Sequence, residues 1–346
     1  MRVLVAMSGG VDSSVAAALL QRDGHDVTGV TMKLWGGESD TGCCSVSDVD
    51  DARRVADQLG IDHHVFNFGP DFERHVVGPY VDEHRAGRTP NPCIECNRHL
   101  KFARLSERAS LLGFDALATG HHARIVVRPD GTRRVARGAD GAKDQSYVVH
   151  MLDQVALGRT CFPVGRLTKA EVRALAADLG LRTAAKPDSQ DVCFITSREG
   201  RQTFVAGRTA LTPGRVIDGT GRDLGRVDAV ELVTIGQRSG LGLAGGHEPV
   251  YAVATDPASA TVTVGSAQDL DVSEQPVGDV GWAAGAVTGT VLVQVSAHGT
   301  PAGADIDPRP AATVVVRWHE PQRRVAPGQS VVFYDGDEVV GGGLAD

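Results

Sequence analysis

Residues Ser8-Gly9-Gly10-Val11-Asp12-Ser13-Ser14 bring two glycines, an aspartate and three serines together between a short apolar run, Val3 to Ala6, and a helix-like run, Val15 to Leu20. That is a strand, a tight turn and a helix start. Glycine lets backbone approach a ligand closely, and the bare N–H groups and dipole of a helix N-terminus favour an anion. The pattern GxxxxGK[ST] is absent and no lysine lies in the turn. The alternative is an ordinary strand-to-helix turn that happens to carry glycines. A second group is sulfur chemistry. Thr89-Pro90-Asn91-Pro92 is an extended, proline-fixed approach to Cys93-Ile94-Glu95-Cys96, with Arg98 and Lys101 following. Cations nearby favour thiolate, the reactive form. A third thiol stands far along the chain in Asp188-Ser189-Gln190-Asp191-Val192-Cys193-Phe194. Half of a structural zinc site is the competing reading, but it needs four ligands and there is no second C-x-x-C. Cys43-Cys44 and Cys161 are expected to be inert or packing thiols.

The elements that must hold these groups change character near residue 200. Before it, strand patterns (Val27–Met32, His63–Phe68, Ala116–Thr119) alternate with helical ones (Asp48–Leu59, Leu100–Leu112, Lys169–Leu179). Gly60 and Gly180 follow two of those helices as C-caps. Such alternation predicts an α/β domain with a doubly wound parallel sheet. Beyond it come short β-branched runs: Val250–Ala254, Thr261–Val264, Val291–Val295, Ala312–Trp318 and Ser330–Tyr334. These predict small β domains, the last barrel-like. The expected division is 1–200, 201–268 and 269–346, with a loop over His298–Pro310.

Composition bounds the function classes. The chain has 346 residues, 42% of them hydrophobic, enough for ordinary cores. No apolar run reaches the roughly 20 residues of a membrane span. The first residues enter a strand at once, so no signal peptide and a cytoplasmic location are expected. Six cysteines in this length are no disulfide scaffold and suit a reducing compartment. The twelve histidines show no HExxH or Cys₂His₂ spacing, so no resident metal set is expected. Net charge is −8, yet from Arg85 to Lys143 there are 12 Lys/Arg against 5 Asp/Glu. A basic run of this kind is either a solvated face or a polyanion surface.

The S-G-G-x-D-S-S turn resembles the PP-loop of ATP pyrophosphatases, which cut ATP between the α- and β-phosphates. The ordered set MSGGVDSS (7–14), RTPNPCIECN (88–97), ATGHHAR (118–124), GAKDQSYVV (141–149), CFPVGRL (161–167), DSQDVCFI (188–195), TIGQRSGLG (234–242) and PGQSVVFYDG (327–336) resembles the tRNA-specific 2-thiouridylase family over almost the whole chain. The resemblance implies a PP-loop domain of the adenine nucleotide α-hydrolase type, a small central β domain and a C-terminal β-barrel. It implies ATP-dependent 2-thiolation of a tRNA wobble uridine, with magnesium as the companion of ATP. A cysteine desulfurase or sulfur-relay protein would donate the persulfide.

Residue by residue, Ala6, Met7, Ser8, Gly9, Gly10, Val11, Asp12, Ser13, Met32 and Gly120 match ATP-binding positions. Cys96 matches the catalytic thiol and Cys193 the persulfide carrier, the two forming a disulfide during turnover. Asn91, Pro92 and Cys93 match the loop that meets the target base. His121, Lys143, Asp144, Gln145 and Gln329 match tRNA-contacting positions. Two departures stand out. Some members carry aspartate where this chain has Cys93, and Cys93, Cys96 and Cys193 could instead form an iron–sulfur ligand set. Val295-Ser296-Ala297-His298-Gly299 replaces an Arg-aromatic pair. A PP-loop small-molecule synthetase is the other alternative, although it would need no paired thiols.

Overall fold

The computed structural model describes residues 1–34, 46–188, 192–195, 200–243 and 249–346. The chain begins with β1 (Arg2–Ala6), helix α1 (Val11–Arg22), β2 (Asp26–Lys33), helix α2 (Val46–Leu59), β3 (Asp62–Asn67) and β4 (Ala116–Thr119). A hairpin, β5 (Ala123–Val127) and β6 (Arg133–Arg137), precedes a return to the first sheet as β7 (Thr160–Cys161). That sheet is wholly parallel in the order β3-β2-β1-β4-β7. Alternate residues of β1 serve opposite faces: Val3 and Val5 pack with Val15, Ala16 and Val55, while Leu4 packs with Val30, Phe72 and Leu100. Burial on both faces is why these strands read as unbroken apolar runs. The chain leaves β1 towards β2 and later returns on the other side as β4. The carboxyl ends of β1 and β4 therefore flank the switch point, where open α/β sheets bind ligands.

The central unit is a four-stranded sheet of β8 (Gly214–Asp218), β9 (Asp223–Val227), β10 (Tyr251–Asp256) and β11 (Thr261–Gly265), ordered β10-β11-β8-β9. Val216, Val230, Leu241 and Val262 fill its small core. The last unit holds β12 (Asp271–Trp282), β13 (Gly289–Gln294), β14 (Ala302–Arg309), β15 (Thr313–Arg323), β16 (Ser330–Asp335) and β17 (Glu338–Ala345). They run β12-β15-β14-β13-β16-β17, and β12 also pairs β17, which closes a six-stranded antiparallel barrel around Val277, Val293, Ile306, Val316 and Phe333.

One segment corrects the sequence expectation. His298–Pro310 was expected to be a loop, but it contains β14, paired to β13 and β15. Ala304 and Ile306 point inward, and the surrounding Gly, Asp and Pro hide that two-residue period. β17 carries Gly341-Gly342-Gly343 inside a paired strand. A Cβ there would lie 2.6 Å from the Gly281 carbonyl oxygen, 2.8 Å from His150 Nδ1 and 2.4 Å from the Gly278 carbonyl oxygen respectively. Glycine is required because β12 and His150 press on the strand from both sides.

The hairpin β5–β6 belongs to the barrel's sheet. Ala136 pairs with Glu338, and Arg137 N–H donates to the Asp337 carbonyl at 3.0 Å. Tyr147 Oη donates to the Ser330 carbonyl at 2.8 Å, and Arg137 lies 4.1 Å over the Tyr334 ring.

Candidate functional site: a nucleotide crevice beside a thiol helix

The turn after β1 is fixed from both directions. Met7 N–H donates to the Val30 carbonyl at 2.8 Å, and Thr31 Oγ1 donates to the Met7 carbonyl at 2.8 Å. Gly9 has φ +70°, and a Cβ on it would meet the Asp48 carbonyl oxygen at 2.2 Å, so no L side chain fits. Gly10 caps α1 with no side-chain hydrogen bond to the first turn. The first N–H groups of α1 have no partner within the helix. Ser13 Oγ accepts from Ser8 N–H at 3.2 Å, and Ser14 Oγ donates to the Gly10 carbonyl at 2.8 Å.

The ATP positions implied by resemblance thus divide by role. Ser8 is exposed, and Ala6, Gly10 and Asp12 are part-exposed. Met7 and Val11 are buried in the sheet–helix core, so their side chains pack and only their backbone faces the turn. Ser13 and Met32 are buried at its edge. Gly120, at the end of β4, would place a Cβ 2.6 Å from Ser13 N. Its lack of a side chain lets β4 seat against the start of α1.

Asp12 is the hub of a charged network that sequence reading missed. Its carboxylate receives Lys169 Nζ at 2.7 and 2.8 Å and His122 Nε2 at 3.0 Å. Burial alone would raise its pKa, but the His122 and Lys169 hydrogen bonds outweigh burial and hold it below the usual value. Lys169 also reaches Asp188 at 2.9 Å, and Asp188 takes Lys143 at 2.9 Å and Arg173 at 2.8 Å. Burial again opposes ionisation of Asp188, yet Lys169 and Lys143 bring its pKa down to about 2. Lys186 Nζ ties the turn from the other side, donating to the Gly9 carbonyl at 2.9 Å and to Asp48 and Asp51, each at 2.7 Å. The cations absent from the turn itself arrive from residues 169 and 186.

The residues assigned to tRNA sit as follows. Lys143 belongs to the Asp188 cluster. Asp144 is buried, accepting from Arg137, Gly138 N–H, Ser146 N–H and Ser146 Oγ at 2.7 to 3.1 Å, so its side chain holds this turn together. Gln145 Oε1 accepts from His122 N–H at 2.9 Å and so braces the histidine that grips Asp12. His121 is buried against Phe102 and Phe162, with Nδ1 2.6 Å from Thr119 Oγ1. Burial, with Lys101 and His122 nearby, pushes its pKa well down. Gln329 lies in the barrel turn, and its carbonyl accepts from Ala345 N–H at 2.8 Å. Many arginines of the basic run meet carboxylates, Arg85, Arg88, Arg98, Arg104, Arg128, Arg134 and Arg137 among them, several of these pairs at the surface.

The thiol group is built on the helix that begins at Pro92. Asn91 is its N-cap, its Oδ1 accepting from Cys93 N–H at 3.1 Å and Ile94 N–H at 3.4 Å. Cys93 is exposed, whereas Cys96, one turn on, is 7% exposed at the start of the wide-turn helix Cys96–Leu105. Asn97 Nδ2 donates to the Val148 carbonyl at 2.8 Å and locks that turn. Cys193 packs on the same hydrophobic core that contains Cys96. Its neighbour Phe194 is held edge-on by Phe72 at 5.5 Å and Tyr80 at 5.4 Å. Among the described residues no three His, Cys, Asp or Glu are grouped to hold a metal ion. Cys161 lies apart, lining a cavity of about 310 Å³ with Leu19, Phe162 and Leu167, and burial raises its pKa. Cys43 and Cys44 fall outside the described residues. Asn91 and Pro92, with Arg98, Asp279 and Ser330, line a second cavity of about 320 Å³ between the thiol helix and the barrel.

Comparison with known proteins covers nearly the whole chain. Residues 1–197 match the family described as tRNA methyl transferase HUP domain, 202–266 the PRC-barrel domain of the same group, and 274–345 the aminomethyltransferase β-barrel domain. The tRNA-specific 2-thiouridylase MnmA of Chloroflexus aurantiacus is 48% identical over 349 residues, covering 99% of this chain and 97% of the relative. The protein of that name from Roseiflexus sp. (strain RS-1) is 46% identical, covering 99% and 98%. That from Geobacter metallireducens is 43% identical, covering 100% and 96%. With the nucleotide turn, the thiol helix and the closed barrel all in place, the chain belongs to the tRNA-specific 2-thiouridylase family.

Proposed function

We propose that this chain thiolates C2 of a tRNA wobble uridine, using ATP to activate the oxygen and a cysteine persulfide to supply sulfur. The observation that carries the reading is the pairing of a glycine–serine anion turn at the sheet's switch point with a buried cysteine and a second cysteine on one core. The C2 oxygen of uracil is a poor leaving group. Its attack on the α-phosphate of ATP expels pyrophosphate and leaves AMP bonded to that oxygen. The orphan N–H groups of α1 and the Ser8 hydroxyl would bind the phosphates. Magnesium would screen phosphate charge, and it commonly uses one or two protein carboxylates plus phosphate oxygens. Asp12 is the carboxylate of the turn, and a magnesium ion entering with the nucleotide would have to take it from Lys169 or His122.

Cys193 receives sulfur as a persulfide. The Cys96 thiolate attacks the inner sulfur, the S–S bond of the persulfide breaks, and hydrosulfide leaves with the electron pair. Hydrosulfide attacks C2 and AMP departs. The resulting Cys96–Cys193 disulfide is reduced by two electrons from a cellular thiol, which resets the site. tRNA is the substrate, its wobble base flipped out of the loop into reach of Asn91-Pro92-Cys93. Lys143, Gln145 and Gln329 would meet the RNA, and a desulfurase or relay protein would be the sulfur donor. All of this chemistry suits the cytoplasm.

The test is incubation of unmodified tRNA with the protein, ATP, magnesium and a persulfide donor, followed by mass spectrometry of the nucleosides. Wobble 2-thiouridine with AMP and pyrophosphate is expected. Release of ADP and phosphate alone, or no thionucleoside, would overturn the proposal.

A further inference from the structure

The nucleotide turn lacks a lysine, and the structure brings one to it from a distant helix. Lys169 is the first residue of the helix Lys169–Asp178. A cation at that end is unfavourable for the helix dipole. Thr168 and Glu171 cap the same helix reciprocally, and Lys169 N–H donates to Asp140 Oδ2 at 3.0 Å. The backbone is thus fixed while the side chain runs to Asp12 and Asp188, only 11% exposed. Nothing in the helix's own stability calls for lysine here.

The charges explain what it is for. Asp12 and Asp188 together meet Lys169, Lys143 and Arg173, three cations against two carboxylates. With Asp140 beside Lys169 and Lys143 the cluster is close to charge balance, and the uncapped start of α1 adds positive potential next to it. We infer that Lys169 is a phosphate-binding residue of the known reaction, holding the pyrophosphate portion of ATP, with Asp188 holding its ammonium group in place before the nucleotide arrives. This rests on the ATP reading above. A preset ammonium stabilises the charge that develops as pyrophosphate leaves, without reorganisation.

Equilibrium binding of ATP and of AMP, with ATP–pyrophosphate exchange, to the full chain and its variants tests the inference. K169M should lose about ten- to hundredfold in ATP affinity, the scale of a charge-assisted contact, while AMP affinity changes less than about threefold. K169R should recover most of the loss. D188N removes the holder of the ammonium group, so its ATP affinity should fall about three- to tenfold, less than in K169M, while its AMP affinity stays within about threefold. Equal losses of ATP and AMP in K169M would mark Lys169 as a brace for Asp12 and overturn the inference. So would unchanged ATP affinity in D188N, or equal losses of ATP and AMP there, which decides the matter even if K169M does not fold. Wild-type protein that binds no ATP would instead refute the ATP reading itself.

Discussion

At the scale of single residues, the thiols separate by surroundings rather than by spacing. Cys96 and Cys193 share one core, whereas Cys161 lies across the sheet with its thiol pK raised by burial. Replacing either Cys96 or Cys193 by serine should abolish thiolation, and the double variant should be no worse than either single one, because the two act as a unit. Cys161→Ser should leave activity within about twofold, since an inert buried thiol offers no thiolate. Nucleoside mass spectrometry reads all four. Full activity in Cys193→Ser would remove the persulfide step. Asp12 belongs to the same scale, because one carboxylate there is shared by residues 122 and 169, more than 100 positions away in sequence.

Among elements, the short helix after Asn91 shows how a cap becomes function. The Asn91 side chain fixes the N–H of Cys93 itself. Asn91→Ala should cost about 1 kcal/mol of stability, the usual worth of an N-cap, yet reduce thiolation much more. Asn91→Asp restores an equivalent cap and should recover the stability, so melting curves beside activity separate cap from contact. The parallel sheet, its switch point and the turn were legible in sequence because both faces of each strand are apolar and glycine marks the close approaches. β14, β17 and the β5–β6 hairpin were not. Their inward residues are few, their glycines respond to distant partners such as His150, and the hairpin's arginines resemble a solvated basic run until Asp335 and Glu338 are placed beside them. Lys169, Lys186 and His122 were invisible for the same reason, since their partners come from other elements.

On the scale of the whole molecule, His150 sits between the nucleotide domain and the barrel, buried, with its pKa brought down to about 3 by burial and by Arg98. An unfolded histidine titrates near 6.5. Below that pH the unfolded chain takes up a proton that the folded one refuses, so stability falls as pH drops from about 6.5 towards about 3. One such histidine contributes up to about 1.4 kcal/mol per pH unit. His150→Gln should therefore flatten the acid limb of the stability profile even where it lowers stability at neutral pH. An unchanged slope in denaturant titrations across that range would refute the assignment.

The docking of β6 on β17 reaches further than packing. β5 starts at Ala123, the residue after His122, and His122 holds Asp12. One sheet thus runs from the barrel to within a single peptide of the nucleotide turn. The barrel is therefore joined to the residue that grips Asp12 by strand pairing, Ala136 on Glu338, rather than by a loop alone.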